Sequence, residues 1–171
     1  HLALLDADGN EVPQGEPGEI CVRGPLVMKG YKDMPEQTAE TFAGGWLHTG
    51  DVGRLDEDGF LYIVDRTKDM IVTGGFNVFP REVEDVLATH ESVGQVVVIG
   101  VPDDKWGEAV KAVVVPRPGV EPNEALVGEL QQLVKEAKGS VQSPKSVDFV
   151  DAIPLTPVGK PDKKAVRARY W

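Results

Sequence analysis

The sequence predicts an α+β fold: a β-rich strand-and-turn segment over residues 1–65, then a small α/β domain over residues 66–171 with a central sheet and packed helices. Three observations carry this. Up to about residue 64, short apolar stretches are separated by Asp/Gly turn clusters, Asp6-Ala7-Asp8-Gly9-Asn10 and Asp56-Glu57-Asp58-Gly59. After Asp65-Arg66, strand-like runs alternate with segments of helical periodicity. Val96-Val97-Val98-Ile99 is continuously apolar, and Ala109 to Val115 is apolar except for Lys111, as strands covered on both faces are.

Each element has its own local reason. Glu19-Ile20-Cys21-Val22-Arg23 alternates polar and apolar, the signature of a half-buried strand. Pro35 opens a short helix through Phe42. Phe60-Leu61-Tyr62-Ile63-Val64 and Met70-Ile71-Val72 read as strands. Pro80 begins a helix whose face is Val83, Val86, Leu87 and His90. Asn123 caps a second helix carrying Leu126, Leu130, Leu133, Val134 and Ala137 on one side, and Gly139 ends it. Val147 to Val150 is a last strand, and Lys163 to Arg169 a short basic helix. The opening His1-Leu2-Ala3-Leu4-Leu5 reads as the middle of a strand, so a piece of a longer protein is expected.

The totals bound the function. The 171 residues carry a net charge of -10, which argues against nucleic acid as the main partner while leaving room for a nucleotide held by a few local cations. Cys21 is the sole cysteine, so no internal disulfide forms, and a cytoplasmic location is expected. No apolar run approaches the roughly 20 residues of a membrane-spanning helix. The Asp-x-Asp-Gly clusters open like calcium loops but lack the closing Glu: Pro17 and Thr67 stand where it belongs. They read as hairpin turns, and no metal site is expected.

Four short segments carry polar chemistry. Asp51, in Trp46-Leu47-His48-Thr49-Gly50-Asp51 at the end of a strand-like stretch, offers from a tight turn a carboxylate that accepts two hydrogen bonds, which suits a ribose diol; by itself the tripeptide reads more readily as an ordinary Asp turn. Asp65-Arg66-Thr67-Lys68-Asp69 follows a strand and is alone an ordinary charged turn. Thr73-Gly74-Gly75-Phe76 permits a ligand to approach the backbone, or simply turns into the helix. Lys160, after Pro154-Leu155-Thr156-Pro157-Val158-Gly159, is a point charge that can meet a carboxylate and a phosphate together; most isolated lysines are merely solvated. His48 lacks a nucleophile or metal set and reads as structural, His90 as a packing or capping residue, and Cys21 as buried and inert.

The order of these segments is more specific than any one. The series Gly18-Glu19-Ile20-Cys21-Val22-Arg23-Gly24-Pro25, Lys29-Gly30-Tyr31, Thr49-Gly50-Asp51, Asp65-Arg66-x-Lys68, Gly74-Gly75-Phe76-Asn77-x-x-Pro80-x-Glu82-Val83-Glu84 and Gly159-Lys160 resembles the adenylate-forming (AMP-binding) superfamily. The resemblance runs from about residue 2 to 168. It implies the last part of a large N-terminal domain, a hinge, and the whole small lid domain of an ATP-dependent enzyme that activates a carboxylic acid as its adenylate.

By that resemblance, Asp51 and Arg66 bind the ribose of ATP or AMP, Lys68 is the hinge, and Lys160 is the adenylation lysine between the acyl carboxylate and the α-phosphate. Gly74, Gly75 and Phe76 line the path of the CoA pantetheine arm. Trp106 matches a position that contacts CoA in some relatives; an exposed aromatic at the sheet edge is the equal alternative. Gly100-Val101-Pro102-Asp103-Asp104-Lys105-Trp106-Gly107-Glu108 resembles fatty-acyl and aryl-CoA ligases, which implies ATP (with magnesium held mainly by the missing domain) and CoA as cofactors and fatty acids as the default substrate. A peptide-synthetase-type adenylation domain and a non-catalytic nucleotide-binding relative are the alternatives. The stretch Gly139-Ser140-Val141-Gln142-Ser143-Pro144-Lys145 departs from the aromatic or basic pair that helps many relatives hold CoA; Lys145 or the basic tail of Lys163, Lys164, Arg167 and Arg169 is the expected substitute, although a solvated helix face is the plainer reading of the tail.

Overall fold

The computed structural model describes all residues, His1–Trp171, and they form two compact units, His1–Lys68 and Asp69–Trp171. The division lies after Lys68 rather than after residue 65, because the strand ending at Arg66 still pairs with the first sheet, Asp65 with Val52 and Arg66 with Asp51.

The first unit is a four-stranded antiparallel sheet of β1 (Leu2–Leu5), β2 (Gly18–Val22), β3 (Leu47–Leu55) and β4 (Leu61–Arg66), neighbouring in chain order. A single helix, α1 (Pro35–Thr41), lies between β2 and β3 and starts on its proline as expected. Ala3, Leu5 and Cys21 form a small core with Trp46 against it, and the Arg23 guanidinium lies 4.2 Å from the Trp46 ring centroid. Both Asp/Gly clusters are turns closed by their own first residue: Asp6 Oδ1 accepts from the amides of Asp8 and Asn10, and Asp56 Oδ1 from those of Asp58 and Phe60.

The second unit is a five-stranded sheet of β5 (Ile71–Thr73), β6 (Phe76–Val78), β7 (Val93–Asp103), β8 (Gly107–Pro116) and β9 (Ser146–Phe149). β7 and β8 are a long hairpin, longer at both ends than their apolar centres. The other side of β8 is shared by β5, paired at Gly107, and β9, paired in parallel over Lys111–Val114. β8–β9 is thus the parallel ladder in a sheet otherwise antiparallel.

Helices cover both faces, which explains why the two central strands are mostly apolar on both sides. Along β7 and β8, Val98, Val110, Ala112 and Val114 meet Val83 and Leu87 of α2 (Pro80–Leu87) and Leu126, Leu130 and Val134 of α3 (Glu124–Lys138). The intervening Val97, Ile99 and Val113 meet Ile153 and Val166, the latter on α4 (Lys163–Arg167). Asn123 Oδ1 caps α3 through the Leu126 amide at 2.9 Å, and Gly139 ends it with φ 90°. Ala137, expected on the buried stripe, is exposed, because the last turn of α3, still helical, extends beyond the core.

Candidate functional site

Asp51 lies in the middle of the nine-residue β3 rather than at a strand end. The presentation expected of a tight turn is made instead by a bulge. β2 and β3 pair at Glu19↔Val52 and Cys21↔His48, so Ile20 alone opposes Thr49, Gly50 and Asp51. Gly50 takes φ +75° there, a conformation that an L side chain strains to adopt. Asp51 faces Arg66 across the β3–β4 pair, Oδ1 to Nε 3.7 Å, and both are well exposed. The two residues expected at the ribose are therefore neighbours.

Lys68 occupies a 3-10 turn, Thr67–Asp69, at the division between the units. Gly74 and Gly75, with φ +57° and +83°, form the two-residue turn of the β5–β6 hairpin, in which Thr73 pairs with Phe76. β6 was not foreseen, since three residues are too few for a periodic signal. The hairpin tip is held against the β7–β8 turn: the Gly74 amide donates to the Trp106 carbonyl at 2.9 Å, and a Cβ on Gly74 would stand 2.6 Å from Trp106 Cε3. Lys105 Nζ lies 4.5 Å from the Trp106 centroid. Phe76 and Trp106 are about half exposed, at 61% and 45%.

Lys160 closes a small loop. The Thr156 amide donates to the Lys160 carbonyl at 2.7 Å, the Gly159 amide to the Thr156 carbonyl at 2.9 Å, and Leu155 bridges Pro161. The loop is tied at its base by these bonds while the Lys160 side chain is exposed. Its basic neighbours differ. Lys163 Nζ lies 2.9 Å from Glu84 and Arg167 Nη2 3.0 Å from Glu108, so these tail residues staple α4 to the domain and are not the solvated face expected of them.

The same two glutamates hold sheet amides: Glu84 accepts from Val98 and Glu108 from Val72, each at 2.8 Å. Lys145 Nζ donates to the Ser140 carbonyl and the buried Ser143 hydroxyl to the Gln131 carbonyl, so the divergent stretch is a structural joint. On the α4 face, Lys111 Nζ and the Tyr170 hydroxyl both donate to Asp148, at 2.7 and 2.8 Å. Burial pushes the Tyr170 phenol up to about 12, and Asp148 adds to this. Burial alone would raise Asp148, but the bonds from Lys111 and Tyr170 outweigh it and hold the carboxyl below its usual range.

His48 is structural, as expected: Nδ1 lies 2.7 Å from Glu19 and Nε2 3.2 Å from the Ala43 carbonyl. His90 accepts from the Ser92 amide at the end of α2. Cys21 is fully buried, and burial, with Glu19 nearby, pushes its thiol up to about 11. Glu19, Cys21 and His48 are close enough to surround an ion, but hydrogen bonds already join them. A set with sulfur and nitrogen is not the hard oxygen shell that magnesium takes.

Residues 82–160 match the model of the AMP-binding enzyme C-terminal domain, and residues 1–32 that of the AMP-binding enzyme. The chain is 64% identical to a medium/long-chain-fatty-acid–CoA ligase, FadD8, of Mycobacterium tuberculosis over 99% of this chain and 30% of that one. It is 42% identical to a fatty acid–[acyl-carrier-protein] ligase, ScoC, of Streptomyces coeruleorubidus over 98% of this chain and 32% of the relative. Among solved structures, the amide bond synthetase McbA of Marinactinospora thermotolerans matches with TM-score 0.87 and 45% identity, over 99% of this chain and 34% of that one. The chain thus spans about a third of the length of the relatives it matches. It belongs to the AMP-binding, adenylate-forming enzyme family, and its second unit contains the part that matches that family's C-terminal domain.

Proposed function

We propose that the chain is the C-terminal portion of an ATP-dependent, AMP-forming acyl-CoA synthetase that converts a medium- or long-chain fatty acid, through its acyl-adenylate, to the CoA thioester. The observation that carries the reading is the Lys160 loop: an exposed ammonium at the end of a loop tied at its base, followed in the chain by Lys163 and Arg167, which are committed to carboxylates of their own domain. The 64% identity to a fatty-acid–CoA ligase supports the acid class.

In this reading Asp51 accepts the ribose hydroxyls and Arg66, its neighbour, contacts the same sugar. Lys160 bridges the acyl carboxylate and the α-phosphate, where negative charge accumulates as the oxygen attacks phosphorus. Magnesium belongs to the triphosphate and is held by residues outside this chain. A rotation at Lys68 then withdraws Lys160 and brings the Gly74–Phe76 tip and Trp106 to the pantetheine arm, so that one domain serves both half-reactions. The enzyme acts in the cytoplasm on small molecules, together with its own N-terminal domain, and the chain by itself is inactive because the acid and the triphosphate are bound elsewhere.

The test is acid-dependent exchange of pyrophosphate into ATP by the full-length protein without CoA, across fatty and aryl acids. Exchange with fatty acids is expected. A folded protein that exchanges with no acid would favour a non-catalytic nucleotide-binding relative. A second reading of the acceptor, a carrier-protein thiol, is favoured by the 42% identity to a ligase of that kind, and a peptide-synthetase-type domain would share it. Transfer to CoA in the absence of carrier protein separates the two.

A further inference from the structure

The bulge that presents Asp51 leaves the Gly50 amide outside the β2–β3 ladder. Its acceptor is a side chain: Glu19 Oε1, at 2.9 Å. The other oxygen, Oε2, meets His48 Nδ1 at 2.7 Å, and the opposite ring nitrogen of His48 faces the Ala43 carbonyl at 3.2 Å. The remaining bonds of the bulge are local. The Thr49 hydroxyl donates to the Ile20 carbonyl at 2.7 Å, and the Asp51 amide donates to the Thr49 hydroxyl oxygen at 3.2 Å. Glu19 and His48 are mostly shielded, with 22% and 26% of their side chains exposed, whereas Asp51 has 41% exposed.

We infer that Glu19, oriented by His48, is a positioning residue for nucleotide binding: it holds the bulge so that the Asp51 carboxylate stands at the geometry of the ribose diol. The inference rests on the reading that Asp51 binds ribose. The physical reason is that a bulge has lost ladder bonds and is free to slide or flatten unless its amides are otherwise satisfied. A charged acceptor gives the strongest substitute, and a carboxylate gripped on its other oxygen cannot swing away. His48 lies on β3 beside the bulge and Glu19 on β2 opposite it, so the brace closes across the strand pair whose irregularity it stabilises.

The test is exchange kinetics of the full-length enzyme with ATP and with 2′-deoxy-ATP. Glu19→Ala should raise KM for ATP by roughly tenfold, the effect of losing one charge-assisted hydrogen bond. It should leave kcat near the parent value and bring the ATP to 2′-deoxy-ATP preference down towards one. Glu19→Gln, which keeps an acceptor for the Gly50 amide, should restore most of that preference. General destabilisation would reduce the amount of active enzyme without altering the ratio between nucleotides. Asp51→Ala is the control. If it abolishes the preference while Glu19→Ala retains it, the brace is overturned and the ribose reading stands. If Asp51→Ala itself retains the preference, the ribose reading falls and takes the brace with it. Should Glu19→Ala fail to fold, His48→Gln, which frees one carboxylate oxygen, is expected to lower the preference about threefold, and an unchanged ratio would overturn the inference.

Discussion

Glu108 and Arg167 meet at 3.0 Å between the β8 strand and α4, and the second oxygen of the same carboxylate holds the Val72 amide of β5 at 2.8 Å. One side chain thus joins the strand that leads to the Gly74–Gly75 tip with the helix that follows the Lys160 loop. The carboxylate lies over Gly100, where any Cβ would stand 2.7 Å from Glu108 Oε1, and the Gly100 carbonyl accepts from Trp171 Nε1 at 3.1 Å. With 17% and 30% of their side chains exposed, the two ions are largely shielded, so removing one leaves the other without its ionic partner. Arg167→Ala is expected to lower unfolding stability by about 2 kcal/mol. In a double-mutant cycle with Glu108→Ala measured by urea unfolding, the two losses should not add.

Lys160→Ala in the full-length enzyme should reduce pyrophosphate exchange at least about a hundredfold, the scale of losing one transition-state charge contact. Thioester formation from acyl-AMP supplied ready-made should change far less. Equal losses in both half-reactions would remove Lys160 from the adenylation role.

The Gly74 position tests the contact between the hairpin tip and the tryptophan. Gly74→Ala introduces a Cβ 2.6 Å from the Trp106 ring, at φ +57°. Overpacking and left-handed strain together are expected to cost about 2–4 kcal/mol. Adding Trp106→Ala should relieve the overpacking part and leave the backbone part, which thermal melts of the single and double variants would resolve. In the full-length enzyme, both changes should act on KM for CoA more than on pyrophosphate exchange.

The Lys111–Asp148–Tyr170 cluster predicts a two-sided pH dependence. Asp148 has its folded-state pKa held below the ordinary 3.8, so its stabilisation is present above that value and is lost as pH falls through the lower folded one. Tyr170 is raised from 10.0 to about 12, so its stabilisation is present below 10.0 and is lost as pH rises towards 12. The stability deficit of Asp148→Asn should therefore shrink below about pH 4, and that of Tyr170→Phe should shrink above pH 10.0. Denaturant midpoints across the pH range check both; a deficit of Asp148→Asn that persists undiminished at the acid end would contradict the cluster's role.

Much of the architecture follows from neighbours in the chain. The 3.6-residue stripe of Val83 and Leu87, the Asn123 cap, the Gly139 stop and the Asx turns at Asp6 and Asp56 are local properties, and each stands where local chemistry puts it. So is the burial of Cys21 on an alternating strand. The ordered motif series, likewise visible in the linear sequence, identified the family.

Tertiary structure alone decided which of those residues meet. Asp51 is presented by a bulge and not by a turn because Ile20, far away in the chain, is the single residue opposite it. β6 exists because a three-residue segment has β5 to pair with, and β9 runs parallel to β8 because α3 returns the chain to the other end of the sheet. Lys163 and Arg167 look like a solvated basic face in sequence, yet each finds a carboxylate on another element. The physical reason is common to all of these. Periodicity, caps and turn residues act over one or two helical turns and can be read locally, whereas ladder register and ion pairing between residues up to 79 positions apart, as for Lys163 and Glu84 (163 − 84), are set by how the packed elements bring side chains face to face.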